Sequence, residues 1–61
     1  MKSVEQKLLA MIEMIGESVD DAVKHGKGNK AAGTRVRKML QTVANECKEI
    51  RKQVQSERSA E

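Results

Sequence analysis

Apolar residues recur through the first 25 residues of the chain at steps of three and four. This period is typical of an amphipathic α-helix and not of a strand. Ser3 and Gln6 have the spacing of a capping box at a helix start, and Gly26 stands where a glycine commonly follows a helix end. The pattern predicts a first helix over about residues 3–25. Its stripe is Val4, Leu8, Met11, Ile15, Val19 and Ala22, widened by Ile12 and Val23.

A second periodic segment follows the break at Gly26–Asn29, where two glycines and an asparagine punctuate the chain. Asn29 suits the N-cap of a helix. We therefore predict a turn over residues 26–29 and a second helix over about 30–57. Beyond the turn the small and apolar residues keep a heptad spacing. One heptad position holds Gly33, Leu40, Cys47 and Val54, and another holds Val36, Val43 and Ile50.

Two helices joined by a short turn lie antiparallel. The predicted fold is therefore all-α, with residues 1–61 forming a single helical-hairpin domain. A lone hairpin would expose half of each stripe, so we expect a homodimer or higher homo-oligomer, built as a four-helix bundle or an antiparallel coiled coil. In that arrangement Cys47 is expected to be a small buried residue of the seam, and Gly33 is expected to pack against Ala22.

The composition removes several classes of function. A chain of 61 residues makes one small domain at most. With one His and one Cys it lacks the residues for an internal disulfide, for a four-ligand zinc site or for a nucleophile–base–orienter set. We therefore expect no enzyme activity, no metal, no cofactor and no small-molecule substrate. No apolar run is long enough to cross a membrane, and the expected location is the cytoplasm.

The net charge of +3 is modest, but the charges are unevenly placed. Residues 24–38 carry six Lys and Arg and no acid, whereas residues 1–23 sum to −3. Helix starts favour acidic residues, so a basic start to the second helix indicates an anion-binding surface. A basic stripe of this kind is the electrostatic footprint of nucleic-acid binding, although a charged face is often merely solvated. The candidate DNA-binding residues are Lys24, Lys27, Lys30, Arg35, Arg37, Lys38, Lys48, Arg51 and Lys52.

The absence of Phe, Tyr and Trp limits how nucleic acid could be held. Aromatic side chains are the usual platforms on which single-stranded bases stack. Phosphate contacts remain, and each contact lowers the affinity as salt rises. The sequence therefore predicts binding to duplex DNA without base readout.

The run from Gly28 to Lys38, GNKAAGTRVRK, resembles the core motif of the bacterial histone-like family typified by the chlamydial linker-histone-like protein. The later Lys48-Glu49-Ile50-Arg51-Lys52 is similar to a downstream pattern of that family. The resemblance spans about residues 4–56, and it implies a nucleoid-associated protein that binds double-stranded DNA with little sequence preference. The chlamydial members also carry a long tail rich in Lys, Ala and Pro, and the sequence here resembles a short form without it.

Two other functions fit a basic helical hairpin. One is an RNA-binding hairpin dimer of the plasmid copy-number type, also a four-helix bundle, which would read RNA shape. The other is a protein-interaction module without nucleic-acid binding, in which the basic stretch pairs with the acidic first helix of another chain.

Overall fold

The computed structural model describes residues 2–59, which form three helices and no strand. Helix α1 spans Val4–Glu17, α2 spans Val19–Gly26 and α3 spans Lys30–Ser59. Helices α1 and α2 follow one another as a bent arm, and α3 returns alongside them, so that Lys7 contacts Gln53 and Asp21 contacts Arg35. The result is a rod of 50 × 15 × 15 Å. The predicted all-α fold is confirmed, and dimerisation stays a prediction.

The bend in the first arm falls at Ser18, where one continuous helix was expected. The Ser18 hydroxyl donates a hydrogen bond to the carbonyl oxygen of Met14 at 3.1 Å, and the Ser18 amide donates to the carbonyl oxygen of Ile15. A serine that bonds back to the carbonyl four residues earlier often bends a helix. The Ala22 amide still donates to the Ser18 carbonyl oxygen, so the arm changes direction without unwinding.

The turn between the arms is closed by Gly28 and not by Gly26. Gly28 has φ of +97°, a conformation that a side chain would disfavour. The Gly28 amide donates to the His25 carbonyl and the Asn29 amide to the Lys24 carbonyl, the two bonds of a Schellman motif. The expectation for Gly26 was therefore wrong, since Gly26 is the last residue of α2.

The predicted caps at both helix starts are confirmed. The Ser3 hydroxyl accepts a hydrogen bond from the Gln6 amide, and the Gln6 side chain accepts one from the Ser3 amide, which completes the capping box. The Asn29 side-chain oxygen accepts a hydrogen bond from the Ala32 amide at 3.0 Å and so caps α3. Each cap satisfies amide groups that a helix start leaves without partners.

The seam between the arms is narrow. Among the described residues only Ala32 and Ile50 are buried, both on α3. Half-buried residues complete the seam at heptad spacing. The larger apolar residues among them are Val36, Met39 and Val43 on α3, and Val4, Met11 and Met14 on the bent arm. Ala32 is fully buried, which marks a close approach of the two arms near the turn.

Four of the six residues of the predicted stripe do not face the seam. Leu8, Ile15, Val19 and Ala22 are exposed, because the seam is formed by residues one position earlier at Lys7, Met14, Ser18 and Asp21. On α3 the seam likewise uses Val36, Val43 and Ile50, while Leu40, Cys47 and Val54 lie one position beyond it and are exposed. The expectation of a buried Cys47 was therefore wrong for the hairpin itself.

Because these apolar residues lie outside the seam, the bent arm has one uncharged outer surface, which we call the apolar face. It occupies three adjacent heptad positions, and every residue on it is exposed. The exposed fractions of its large side chains range from 42% to 65%. The apolar face consists of Leu8, Leu9, Ile12, Ile15, Gly16, Val19, Ala22 and Val23.

Candidate nucleic-acid interface

The side of α3 that points away from the bent arm is basic. Because Val36, Val43 and Ile50 lie in the seam, the heptad positions of Arg37, Lys38 and Gln41 lie on the opposite side of α3. Every residue of α3 at these three positions is exposed. No carboxylate occurs at these positions, because the three acids of α3, Glu46, Glu49 and Glu57, lie nearer the seam. The outward cations are Lys30, Arg37, Lys38, Lys48, Arg51, Lys52 and Arg58. We call this the basic surface.

The start of α3 places two of these cations beside an open groove of about 520 Å³ at the turn. Lys30 and Arg37 lie one heptad apart along one side of the helix. The groove is lined by His25, Gly28, Asn29, Lys30, Gly33, Thr34, Val36 and Arg37. The first turn of α3 contains no acid, so the partial positive charge of the helix start adds to the two side chains.

A second cluster lies farther along α3. Lys48, Arg51 and Lys52 line another open groove of about 590 Å³ together with Gln55 and Ser56. Arg37 and Arg51 are 14 residues apart, about 21 Å along the helix axis. Lys38 lies beside the first cluster, and Lys24 and Lys27 are exposed at the end of α2 and in the turn. The structure thus places six of the nine sequence-predicted residues in two basic clusters on α3, with Lys30, Arg37 and Lys38 in the first and Lys48, Arg51 and Lys52 in the second.

Arg35 differs from the other candidates because it is bound within the hairpin. Its Nε and Nη2 donate to the two carboxylate oxygens of Asp21 at 3.1 and 2.9 Å. This hydrogen bond, reinforced by the charge of Arg35, lowers the pKa of Asp21 below its ordinary value of 3.8. The same hydrogen bond raises the pKa of Arg35. The pair joins α2 to α3, so Arg35 holds the turn region together.

Near the turn, residues at similar distances from it lie across the seam from one another, and this register is the signal for the Asp21–Arg35 pair. Asp21 precedes Gly28 by seven residues and Arg35 follows it by seven. The predicted set of DNA-binding residues did not take this register into account. Lys52 also has a carboxylate nearby, Glu49 at 3.8 Å, but both side chains are well exposed. Such a pair is worth little, so Lys52 keeps its charge available.

Gly33 lets the ring of His25 lie directly against α3. A Cβ on Gly33 would lie 2.5 Å from His25 Nδ1, closer than real contacts allow, and 3.1 Å from Cε1. The nearest neighbour of Gly33 is therefore His25 and not the expected Ala22. The contact fixes the end of α2 onto the first turns of α3, next to Lys30.

Residues 2–59 contain no group of three or more His, Cys, Asp or Glu side chains placed to hold a metal ion. Within the same stretch, none of the helices has the length and apolar character to cross a membrane.

A helical hairpin with a cationic outer surface on one arm has the electrostatic footprint of small nucleic-acid-binding proteins. Comparison with family models gives the particular family, because the model of the histone H1-like protein Hc1 matches residues 5–60. The chain therefore belongs to the histone H1-like Hc1 family. No curated protein and no solved structure matches the chain.

Proposed function

We propose that the protein is a nucleoid-associated protein of the cytoplasm that binds double-stranded DNA with little sequence preference. The observation that carries this proposal is the carboxylate-free basic surface along α3. Membership of a histone H1-like family supports DNA as the partner. The proposal includes no catalytic step and no cofactor.

Phosphate contacts supply the affinity in this proposal. Lys30 and Arg37 at the first groove, and Lys48, Arg51 and Lys52 at the second, each neutralise a backbone phosphate and release counterions. Lys24, Lys27 and Lys38 extend the contact around the turn. Arg35 contributes by holding the turn through Asp21. Without aromatic side chains the protein has no platform on which single-stranded bases stack, which favours the duplex. Phosphate contacts carry no sequence information, so sequence preference is weak.

The test is a titration of a mixed-sequence DNA duplex with the full chain over a series of salt concentrations. The variant Lys30→Gln/Arg37→Gln/Arg51→Gln removes three outward cations. We expect it to make the log–log salt slope shallower by about 2.7, at about 0.9 per lost contact. An unchanged slope would contradict the proposal.

Two single variants with the same change in net charge provide the control. Gln41→Glu puts a carboxylate on the basic surface, whereas Ala10→Glu puts one on the bent arm outside the apolar face. Weaker DNA binding is expected from Gln41→Glu, with little change from Ala10→Glu. Equal effects would indicate that only net charge matters. A structured RNA run as a competitor tests the RNA alternative, and clearly tighter RNA binding would replace DNA as the partner.

A further inference from the structure

The cations of the basic surface are arranged symmetrically about the middle of α3. One heptad position holds Lys30, Arg37, Ala44, Arg51 and Arg58, so Ala44 stands at the midpoint of four cations. All five residues are exposed. At about 1.5 Å per residue, Arg37 and Arg51 lie about 21 Å apart along the helix axis, and Lys30 and Arg58 lie about 42 Å apart. The basic surface therefore has two charged ends and a middle without charge.

The middle of the basic surface is uncharged at all three outward heptad positions. Between Lys38 and Lys48, a distance of about 15 Å along the axis, these positions hold only uncharged, exposed residues. The one acid of this interval, Glu46, lines a separate groove with Lys7 and so lies toward the bent arm. We call the uncharged middle the neutral patch, and it consists of Gln41, Ala44 and Asn45.

A charge-free interval in a basic surface distinguishes two ways of lying on a duplex. Phosphates of one strand follow one another about every 3.4 Å along the axis of DNA. A helix that lay along one strand would therefore meet phosphates without interruption, and a gap among its cations would forfeit contacts. A helix that crosses a groove meets phosphates only at the two edges of that groove. The neutral patch, with a basic cluster on each side, fits the second arrangement.

The length of the neutral patch matches the major groove better than the minor groove. The major groove of B-DNA is about 12 Å wide and the minor groove about 6 Å wide. The interval of about 15 Å between Lys38 and Lys48 is slightly longer than the major groove is wide, so each cluster would lie over the phosphates at one edge. Across the minor groove the same clusters would lie beyond both edges. An α-helix with its side chains, about 10–12 Å in diameter, also fits only the major groove.

The side chains of the neutral patch suit the base edges that a groove exposes. Ala44 has the smallest of the three, so it lets the backbone of α3 approach the groove closely. Gln41 and Asn45 are four residues apart on the same side of the helix, and their amide groups both donate and accept hydrogen bonds. Every base pair presents both donors and acceptors in the major groove. Such amides can therefore contact any sequence, in agreement with weak sequence preference.

We propose that α3 lies across the major groove of duplex DNA, with the neutral patch over the base edges and the two basic clusters on phosphates of opposite strands. The bent arm then lies on the side of α3 away from the duplex. This inference rests on the DNA binding proposed above, to which it adds the groove and the orientation of the helix.

The first test blocks one groove at a time on a mixed-sequence duplex. Glucosylated 5-hydroxymethylcytosine in place of cytosine puts a sugar in the major groove and leaves the phosphates unchanged, whereas netropsin occupies the minor groove at A·T runs. Fluorescence anisotropy of the full chain measures the affinity. A sugar that holds α3 away from one strand removes at least one phosphate contact, so we expect binding to weaken about tenfold or more at 0.1 M salt. With netropsin we expect a loss of less than about threefold.

The outcomes of this test separate the groove from DNA binding itself. Equal affinity for the glucosylated and unmodified duplexes would overturn the groove assignment and leave binding through phosphates in place. A loss caused by netropsin alone would assign the minor groove, and a similar loss from both would show that neither groove is selected. Either result would also overturn the inference. Failure to bind the unmodified duplex at low salt would remove the proposed function, and the groove assignment with it.

An added cation tests the neutral patch directly. Ala44→Lys puts a charge over the base edges, whereas Gln55→Lys puts the same charge beside Lys52 in the groove of the second cluster. Lysine is a good helix former, and circular dichroism checks that both variants keep their helix content. We expect Gln55→Lys to steepen the log–log salt slope by about 0.9, the value for one more phosphate contact, and Ala44→Lys to leave the slope unchanged. Equal steepening would overturn the inference, because it would place phosphates along the whole of α3.

Discussion

The two arms of the hairpin share one helical period but expose opposite chemistry. The outward positions of α3 carry seven cations and no acid, while between Leu8 and Val23 three adjacent exposed heptad positions of the bent arm carry only apolar residues and Gly16. Between them lies a seam with two buried residues, Ala32 and Ile50. The contrast indicates that the outer surfaces of the two arms, and not the seam, are the parts of the molecule that bind partners.

The basic surface and the apolar face also differ in the kind of interaction that each can make. A basic surface attracts a polyanion over a distance set by the ionic strength, and its affinity falls as salt rises. An apolar face gains free energy from burial and is little affected by moderate salt. DNA binding and the expected self-association of the chain should therefore respond to different variants and to different solution conditions.

The largest expected effect is on the seam. Ile50→Ala removes most of one of the two buried side chains, and buried Ile→Ala changes cost about 2–5 kcal/mol. In so small a hairpin this loss should unfold much of the protein at 25 °C. Leu40→Ala on the exposed side of α3 is the control. At protein concentrations too low for self-association, it should change the urea midpoint of unfolding little. Equal losses in the two variants would show that the seam is not where stability resides.

The next largest effect distinguishes Arg37 from Arg35. Arg37→Gln removes a cation of the basic surface and should weaken DNA binding about fivefold to tenfold at 0.1 M salt by order of magnitude. Arg35→Gln removes the partner of Asp21, so it should lower the thermal midpoint and change DNA affinity by less than about twofold. Fluorescence anisotropy and thermal unfolding measure the two quantities. The reverse ranking in DNA affinity would place Arg35 in the interface.

A smaller effect is expected at Gly33. Gly33→Ala gains about 1 kcal/mol of helix propensity, but the new Cβ displaces the ring of His25 from α3. We expect little or no net stabilisation in the unaltered background and about 1 kcal/mol of stabilisation when His25→Ala is also present. Urea unfolding of the four proteins of this cycle gives the coupling. Strictly additive changes would mean that the contact between His25 and Gly33 contributes nothing.

The smallest effect concerns the pH dependence of the Asp21–Arg35 pair. Because the pKa of Asp21 is lowered in the folded state by Arg35, the unfolded chain binds the proton more readily. The pair therefore stabilises the fold above the ordinary pKa of an aspartate, and this stabilisation is lost as pH falls through the lowered value. Between pH 7 and pH 3 the unaltered protein should lose slightly more thermal stability than Asp21→Asn. Parallel curves of thermal stability against pH for the two proteins would indicate that the Asp21–Arg35 pair does not contribute to stability.

The sequence predicted much of the fold because local signals were strong. The apolar period defined both arms, and Ser3, Gln6 and Asn29 marked two helix starts that the structure confirms. Gly26 and Gly28 are two residues apart, however, and only the backbone shows that Gly28 has the positive φ. The bend at Ser18 was equally hidden, since a serine inside a helix bends it only when its hydroxyl bonds backward.

The helical period alone did not predict which residues of each broad apolar stripe lie in the seam between the arms. Leu8 and Met11, or Leu40 and Val43, are equally apolar, and a small rotation of each arm decides between them. The structure places Met11 and Val43 inward and leaves Leu8 and Leu40 outside. The placement of the cations on the outward side of α3 was, by contrast, predictable from the sequence, because the heptad pattern alone assigns each cation to a side of the helix. Their contact with DNA stays a prediction. Arg35 was the exception in placement, since its ion pair depends on Asp21 across the turn.

The most direct test of DNA binding by the basic surface is the salt dependence of binding by the unaltered protein, measured on a mixed-sequence duplex. We expect clear binding at low salt and a linear decline of log affinity with log salt, steeper than about −2.7, the value for three phosphate contacts. Changes in the duplex sequence should leave that line in place. Absence of binding at low salt, or a flat dependence on salt, would contradict the assignment of the basic surface of α3 to DNA.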